Sequence, residues 1–123
     1  MLPTLKDGNI VCMQKYNLNL KNNDIVVIRK NGIMMIKRVI GLPNDTIKID
    51  KYIYVNGNKN DDLYIQDSGQ ADNEITLKEN EYFVLGDNRQ NSIDSRFEEV
   101  GIIHKDEIIG KIVFRKVELQ CKD

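Results

Sequence analysis

The sequence predicts an all-β domain of coiled antiparallel sheets that close partly into a barrel. Three observations carry that expectation. The apolar runs are short and rich in Ile and Val, as in Ile25-Val26-Val27-Ile28 and Ile33 to Ile40. Asn31-Gly32 and Asn56-Gly57 fall between such runs, and Asn-Gly is the strongest short-range hairpin signal. No amphipathic helix of useful length is present, and many short strands with Gly/Asn turns favour a sandwich or barrel.

Taken in order, Ile10 to Tyr16 is the first candidate strand. Ile25 to Arg29 and Ile33 to Ile40 form the hairpin around Asn31-Gly32. Gly41-Leu42-Pro43-Asn44-Asp45 breaks the second of these strands. Thr46 to Ile49 and Tyr52 to Val55 follow, then the Asn56-Gly57 turn. The stretch from Asn58 to Asn73 is polar and turn-rich, with a short strand expected at Leu63-Tyr64-Ile65. Glu74 to Leu77 and Tyr82 to Leu85 read as extended, Lys105 to Ile109 as one helical turn, and Gly110 to Leu119 as a closing strand. The 123 residues fit a single domain, with the more polar residues 46–80 forming a small cap on the main sheet.

Composition narrows the function classes. Eighteen basic and 19 acidic residues leave a formal net charge of -1. They form no basic stripe, so no nucleic-acid partner is expected. The 41% hydrophobic content suits a folded chain. No apolar run approaches the ~20 residues that span a bilayer, and no secretory leader is read in these residues. The two cysteines, Cys12 and Cys121, read first as unpaired thiols, with a bridge between them left open; neither a dense disulfide framework nor a metal site is present. The single histidine, His104, reads as a surface loop residue with no metal-ligand spacing around it. No metal or cofactor is implied.

The densest polar segment is Gly86-Asp87-Asn88-Arg89-Gln90-Asn91-Ser92-Ile93-Asp94-Ser95-Arg96. It follows the apolar run Tyr82 to Leu85. Acids and guanidiniums at this spacing can pair bidentately and fix a backbone turn.

A second anomaly lies in Ile33-Met34-Met35-Ile36-Lys37-Arg38-Val39-Ile40. Alternation puts Lys37 on one face with Ile33, Met35 and Val39, and Arg38 on the other with Met34, Ile36 and Ile40. Two readings follow. Both cations can snorkel to water from the sheet rim. Alternatively, Lys37 is held as a neutral amine, because desolvation disfavours its charged form. A neutral lysine can take a proton from a serine hydroxyl, in place of the usual histidine.

These two segments together resemble type I signal peptidases. Lys37-Arg38-Val39-Ile40-Gly41-Leu42-Pro43-Asn44-Asp45 resembles the family segment bearing the general-base lysine, with Asn44 where Gly is usual. Asp24-Ile25-Val26-Val27 resembles another family strand, here preceded by Asn23 instead of the usual Gly. Gly86 to Arg96 resembles the closing motif, and the likeness runs from Met1 to about Leu119. The resemblance implies Lys37 as general base and Ser92 as the residue that orients it. It implies supporting ion pairs Asp94–Arg96 and Asp87–Arg38. Ser95 and Asn88 are read as turn residues. Met1-Leu2-Pro3-Thr4-Leu5 resembles the motif in which the nucleophile serine directly precedes the Met. That serine and the membrane anchor are not among these residues, so this polypeptide is expected to be inactive as given. Ser68, Ser92, Ser95 and Thr4 are not expected to replace the serine.

The resemblance also implies a serine endopeptidase that cleaves signal peptides from secreted preproteins through an acyl-enzyme. The oxyanion would be held by the nucleophile's own N–H and a donor just upstream. Shallow pockets lined by Met1, Leu5, Met35 and Ile36 would select a small-x-small site. Substrate would add as a strand beside the Lys37 strand. The expected location is the plasma membrane, with the catalytic domain on the extracytoplasmic side and the membrane surface as a further partner. Two other readings stay open: a non-catalytic relative that binds signal peptides, and the self-cleaving peptidase domain of SOS-response repressors, which also uses Ser and Lys.

Overall fold

A computed structural model of the chain describes residues 12–49, 52–59, 73–87, 93–97 and 100–114. The strands are β1 (Cys12–Gln14), β2 (Ile25–Lys30), β3 (Ile33–Gly41), β4 (Thr46–Ile49), β5 (Ile53–Val55), β6 (Asn58–Lys59), β7 (Asn73–Thr76), β8 (Glu81–Leu85), β9 (Ile103–His104) and β10 (Ile108–Phe114). They form a six-stranded sheet in the order β1-β10-β2-β3-β8-β9 and a four-stranded sheet in the order β6-β5-β4-β7. Every neighbouring pair is antiparallel. The all-β antiparallel class is the one expected, and neither sheet closes on itself. Among the described residues there is no α-helix, hence no helix long and apolar enough to cross a membrane.

The β2–β3 hairpin is the organising unit. Its turn is Asn31-Gly32, with φ of 52° and 78°. Two consecutive left-handed residues give a turn whose twist matches the flanking strands. That turn sets the register from Lys30↔Ile33 to Ile25↔Arg38. A slip by one residue would turn Lys37 to the opposite face, so the hairpin fixes the orientation of the candidate base.

The far end of β3 is buried on both faces. Val39 joins a cluster with Val26, Ile28, Val84, Val100 and Ile103. Ile40 joins a second cluster with Ile47, Ile49, Ile53, Leu77, Phe83 and Leu85. The second cluster packs β4, β5, β7 and Leu77 against β3 and β8, so the four-stranded sheet has its own apolar side. Gly41 sits at that junction, where a Cβ would lie 2.7 Å from Ile47 Cδ1, 2.8 Å from Leu77 Cδ1 and 3.0 Å from Phe83 Cβ. Gly41→Ala is therefore expected to cost about 1–3 kcal/mol through overpacking, read as a lower denaturant midpoint. An unchanged midpoint would show that the junction is looser than its geometry indicates.

Several local expectations change. The first strand is confined to Cys12–Gln14 among the described residues, because the chain turns at Asn17, with φ of 55°. His104 ends strand β9 rather than sitting in a loop, and its N–H donates to Glu107 Oε1 at 2.9 Å. The helical turn is a 3-10 turn over Lys105–Glu107, cut short because Ile108 pairs with Ile28. The closing strand starts two residues early, at Ile108. The short strand expected at Leu63–Ile65 lies outside the described residues. Cys12 is also corrected: it is buried and disulfide-bonded rather than a free thiol. The sequence holds one other cysteine, Cys121, which lies outside the described residues.

Candidate active site

Lys37 extends from β3 on the face that carries Val39 and Met35, opposite Val26 of β2. Met35 and Val39 belong to the first cluster, so the lysine stem lies at the border of an apolar core and is half-buried. Its pKa is lowered from the ordinary 10.5. Desolvation is the main cause; nearby Asp94 opposes it and Arg96 reinforces it. The strand thus holds the amine where its charged form is disfavoured relative to water.

The support beneath it comes from the turn after β8. Asp94 is 0% exposed, Ser95 3% and Arg96 1%. Arg96 Nε donates to Asp94 Oδ1 at 2.8 Å, and Arg96 Nη2 to Oδ2 at 3.1 Å. The carboxylate also accepts from the Gly86 N–H at 3.0 Å and the Arg96 N–H at 3.2 Å. A buried ion pair is tolerable when its remaining hydrogen-bonding capacity is met in this way. Among the described residues no buried side-chain nitrogen or oxygen lacks a partner.

Arg38, on the opposite face of β3, makes a second bidentate pair. Its Nε donates to Asp87 Oδ1 at 2.8 Å and its Nη2 to Oδ2 at 2.7 Å. Its Nη1 also donates to the Asn23 carbonyl at 2.8 Å. The two acids of the polar segment thus brace the two faces of one strand: Asp87 holds Arg38, and Asp94 with Arg96 lies near Lys37. Met35 is half-buried beside Lys37, whereas Ile36 faces the other way and is 37% exposed. Met1, Leu5, Asn88 and Ser92 lie outside the described residues.

Among the described residues, alternation along β3 leaves part of its edge without a partner strand. Val39 directs its N–H to Asp24 O and its C=O to Asn23 N, both on the β2 side. Arg38 therefore directs its own amide groups toward β8, where it pairs with Leu85. Met34 and Ile36 share that direction, and β8 does not reach them. Among the described residues no strand pairs with this stretch.

The sequence reading misses Ser95. It is a buried residue whose N–H donates to Val84 O at 3.1 Å and whose Oγ accepts from Val84 N at 3.0 Å. Nothing local signals this, because the partner lies in the preceding strand. The Gly86 amide as a ligand of Asp94 is missed for the same reason.

Comparison with known proteins agrees with this geometry. The family model described as "Signal peptidase, peptidase S26" matches residues 1–117. Signal peptidase I U of Bacillus subtilis (strain 168) is 36% identical, over 89% of this chain and 67% of that protein. Signal peptidase I of Bacillus caldolyticus is 36% identical, over 94% of this chain and 73% of that protein. A crystal structure of a signal peptidase I from Enterococcus faecalis V583 aligns with a TM-score of 0.63 and 29% identity, covering 78% of this chain and 98% of that one. With a strand-borne Lys37, a buried Asp94–Arg96 turn and a family match across residues 1–117, the chain belongs to the signal peptidase family, peptidase S26.

Proposed function

We propose that these residues form the general-base half of a Ser-Lys peptidase that removes signal peptides from secreted preproteins. The observation that carries the reading is Lys37: half-buried, with a lowered pKa, beside a fully buried ion pair. A lysine so placed can accept the proton of a serine hydroxyl during attack and return it to the leaving amine. The acyl-enzyme is then hydrolysed by water that the same amine activates.

Substrate binds as a strand along the open edge at Met34 and Ile36, which brings the scissile bond past Lys37. Small side chains at the cleavage site fit shallow pockets that Met35, Ile36, Met1 and Leu5 help to line. Ser92 orients the Lys37 amine. The Cys12 disulfide supports an oxidising, extracytoplasmic location, with the membrane surface alongside. A binding protein without catalysis would have little use for a desolvated lysine, which costs stability.

The nucleophile is a serine directly before Met1. The serines within the sequence are Ser68, Ser92 and Ser95. Ser95 is buried with its hydroxyl engaged by Val84, and Ser92 serves Lys37. A polypeptide of these 123 residues alone is therefore expected to leave an A-x-A precursor uncut in detergent. The same polypeptide with Gly-x-Ser placed before Met1 is expected to cleave it. A folded, serine-bearing form without turnover would sink the reading. So would Lys37-dependent cleavage by the unextended polypeptide.

A further inference from the structure

Ser95 occupies a place that a strand residue would otherwise fill. Strand β9 pairs with β8 only at Glu81↔His104 and Tyr82↔Ile103. Val84 is the next β8 residue whose amide groups point the same way, since it lies opposite Val39, whose own amide groups are turned toward β2. Beyond the end of β9, Ser95 takes up both of them. Its N–H donates to Val84 O, and its hydroxyl oxygen accepts from Val84 N in place of a partner carbonyl. Val84 is 0% exposed, so water offers no substitute acceptor.

The residues on either side of Ser95 are the two charges that act on Lys37. We infer that Ser95 is a positioning residue: it extends the β8 ladder and so locks the Asp94–Arg96 pair in place beside Lys37. The inference rests on the reading of Lys37 as general base. Asp94 strengthens the hold of Lys37 on its proton, and Arg96 weakens it. Arg38 and Asp87 neutralise each other on the opposite face, and the facing β2 residue is Val26. Among the described residues, the charges that act on Lys37 thus sit in one short turn, and the position of that turn also bears on how well water is kept from the amine. Gly86 N–H on Asp94 pins one end of it, and Ser95 pins the middle.

Without the hydroxyl, Val84 N–H loses its acceptor, the turn lifts and water reaches the lysine. The test is the NMR titration of the Lys37 side chain in the folded 123-residue protein, which needs no nucleophile. In the unmodified protein the midpoint is expected below the ordinary 10.5. In Ser95→Ala it moves up, so that the neutral fraction at a fixed pH falls ~3–10-fold. Ile47→Ala, a core truncation in the second cluster, is expected to lower the melting temperature without moving the midpoint.

A Ser95→Ala midpoint equal to that of the unmodified protein would overturn the inference alone. An equal movement in Ile47→Ala would do the same. An ordinary midpoint in the unmodified protein would overturn the general-base reading itself. Should Ser95→Ala fail to fold, hydrogen exchange of the Val84 amide in the unmodified protein decides. Protection as strong as that of the β2–β3 ladder is expected, and exchange at the rate of an open edge contradicts the inference.

Discussion

Replacing Lys37 with methionine is expected to abolish preprotein cleavage while raising the melting temperature at neutral pH. In a serine-bearing form the loss in kcat is expected to be ~10^4-fold or more, because the proposed base itself is removed. Folding stability should move the other way. The folded-state pKa of Lys37 lies below its unfolded value, so below both values each state carries the proton and only the folded state bears the desolvation penalty. Between the folded and unfolded pKa values the folded state binds fewer protons, so stability rises with pH across that window. The advantage of methionine is therefore full below the folded-state pKa, persists in part above it, and is gone as the pH passes the unfolded value of ~10.4. Methionine matches the length of the lysine stem and faces apolar Met35, Val39 and Val26. A variant that still cleaves contradicts the base assignment. One that melts lower at neutral pH contradicts the desolvation argument.

Asp94→Asn is expected to produce a large loss of stability, because Asp94 is the fully buried half of an ion pair. Arg96 would be left buried with its charge uncompensated, and the Gly86 N–H would face an amide of uncertain orientation. Breaking such a pair from one side costs ~3–5 kcal/mol. For a domain of this size that is a melting temperature lower by ~10–20 °C. Removing both charges with Asp94→Asn and Arg96→Met should recover part of the loss, because the buried cation goes too. The Arg38–Asp87 pair is the natural comparison. It is equally bidentate but more exposed, at 22% and 11% for the two side chains, so Asp87→Asn should cost only ~1–2 kcal/mol. Equal losses at the two sites would show that burial does not distinguish the two pairs. An additive double variant would show that Asp94 and Arg96 are not coupled.

How much of this was legible in the sequence depends on the range of each interaction. The β2–β3 hairpin was legible because its turn is written in two adjacent residues and its alternation in the next eight. The placement of Lys37 against an apolar face followed from that alternation alone. Residues 46–80 were harder. Thr46-Ile47-Lys48-Ile49 looks half polar, and its apolar half gains meaning only against Phe83 and Leu85, which come from a different part of the chain. Ser95 reads as a turn residue, and it is one; its bonding to Val84 is not legible because that partner is set by tertiary geometry. The disulfide at Cys12 is not legible, because cysteines near opposite ends of a sequence say nothing about their separation in space. The buried pair at Asp94 and Arg96 was anticipated as a pair through the resemblance, but its complete burial was not.

The central claim is that Lys37 acts as a neutral base, and the most direct test is the pH dependence of kcat/KM for a serine-bearing form on an A-x-A precursor. The acidic limb reports the base of the free enzyme. The predicted result is a limb whose midpoint lies below the ordinary lysine value of 10.5 and which disappears, with the activity, in Lys37→Met. Activity that rises only around 10.5, or a limb that survives in Lys37→Met, would contradict it.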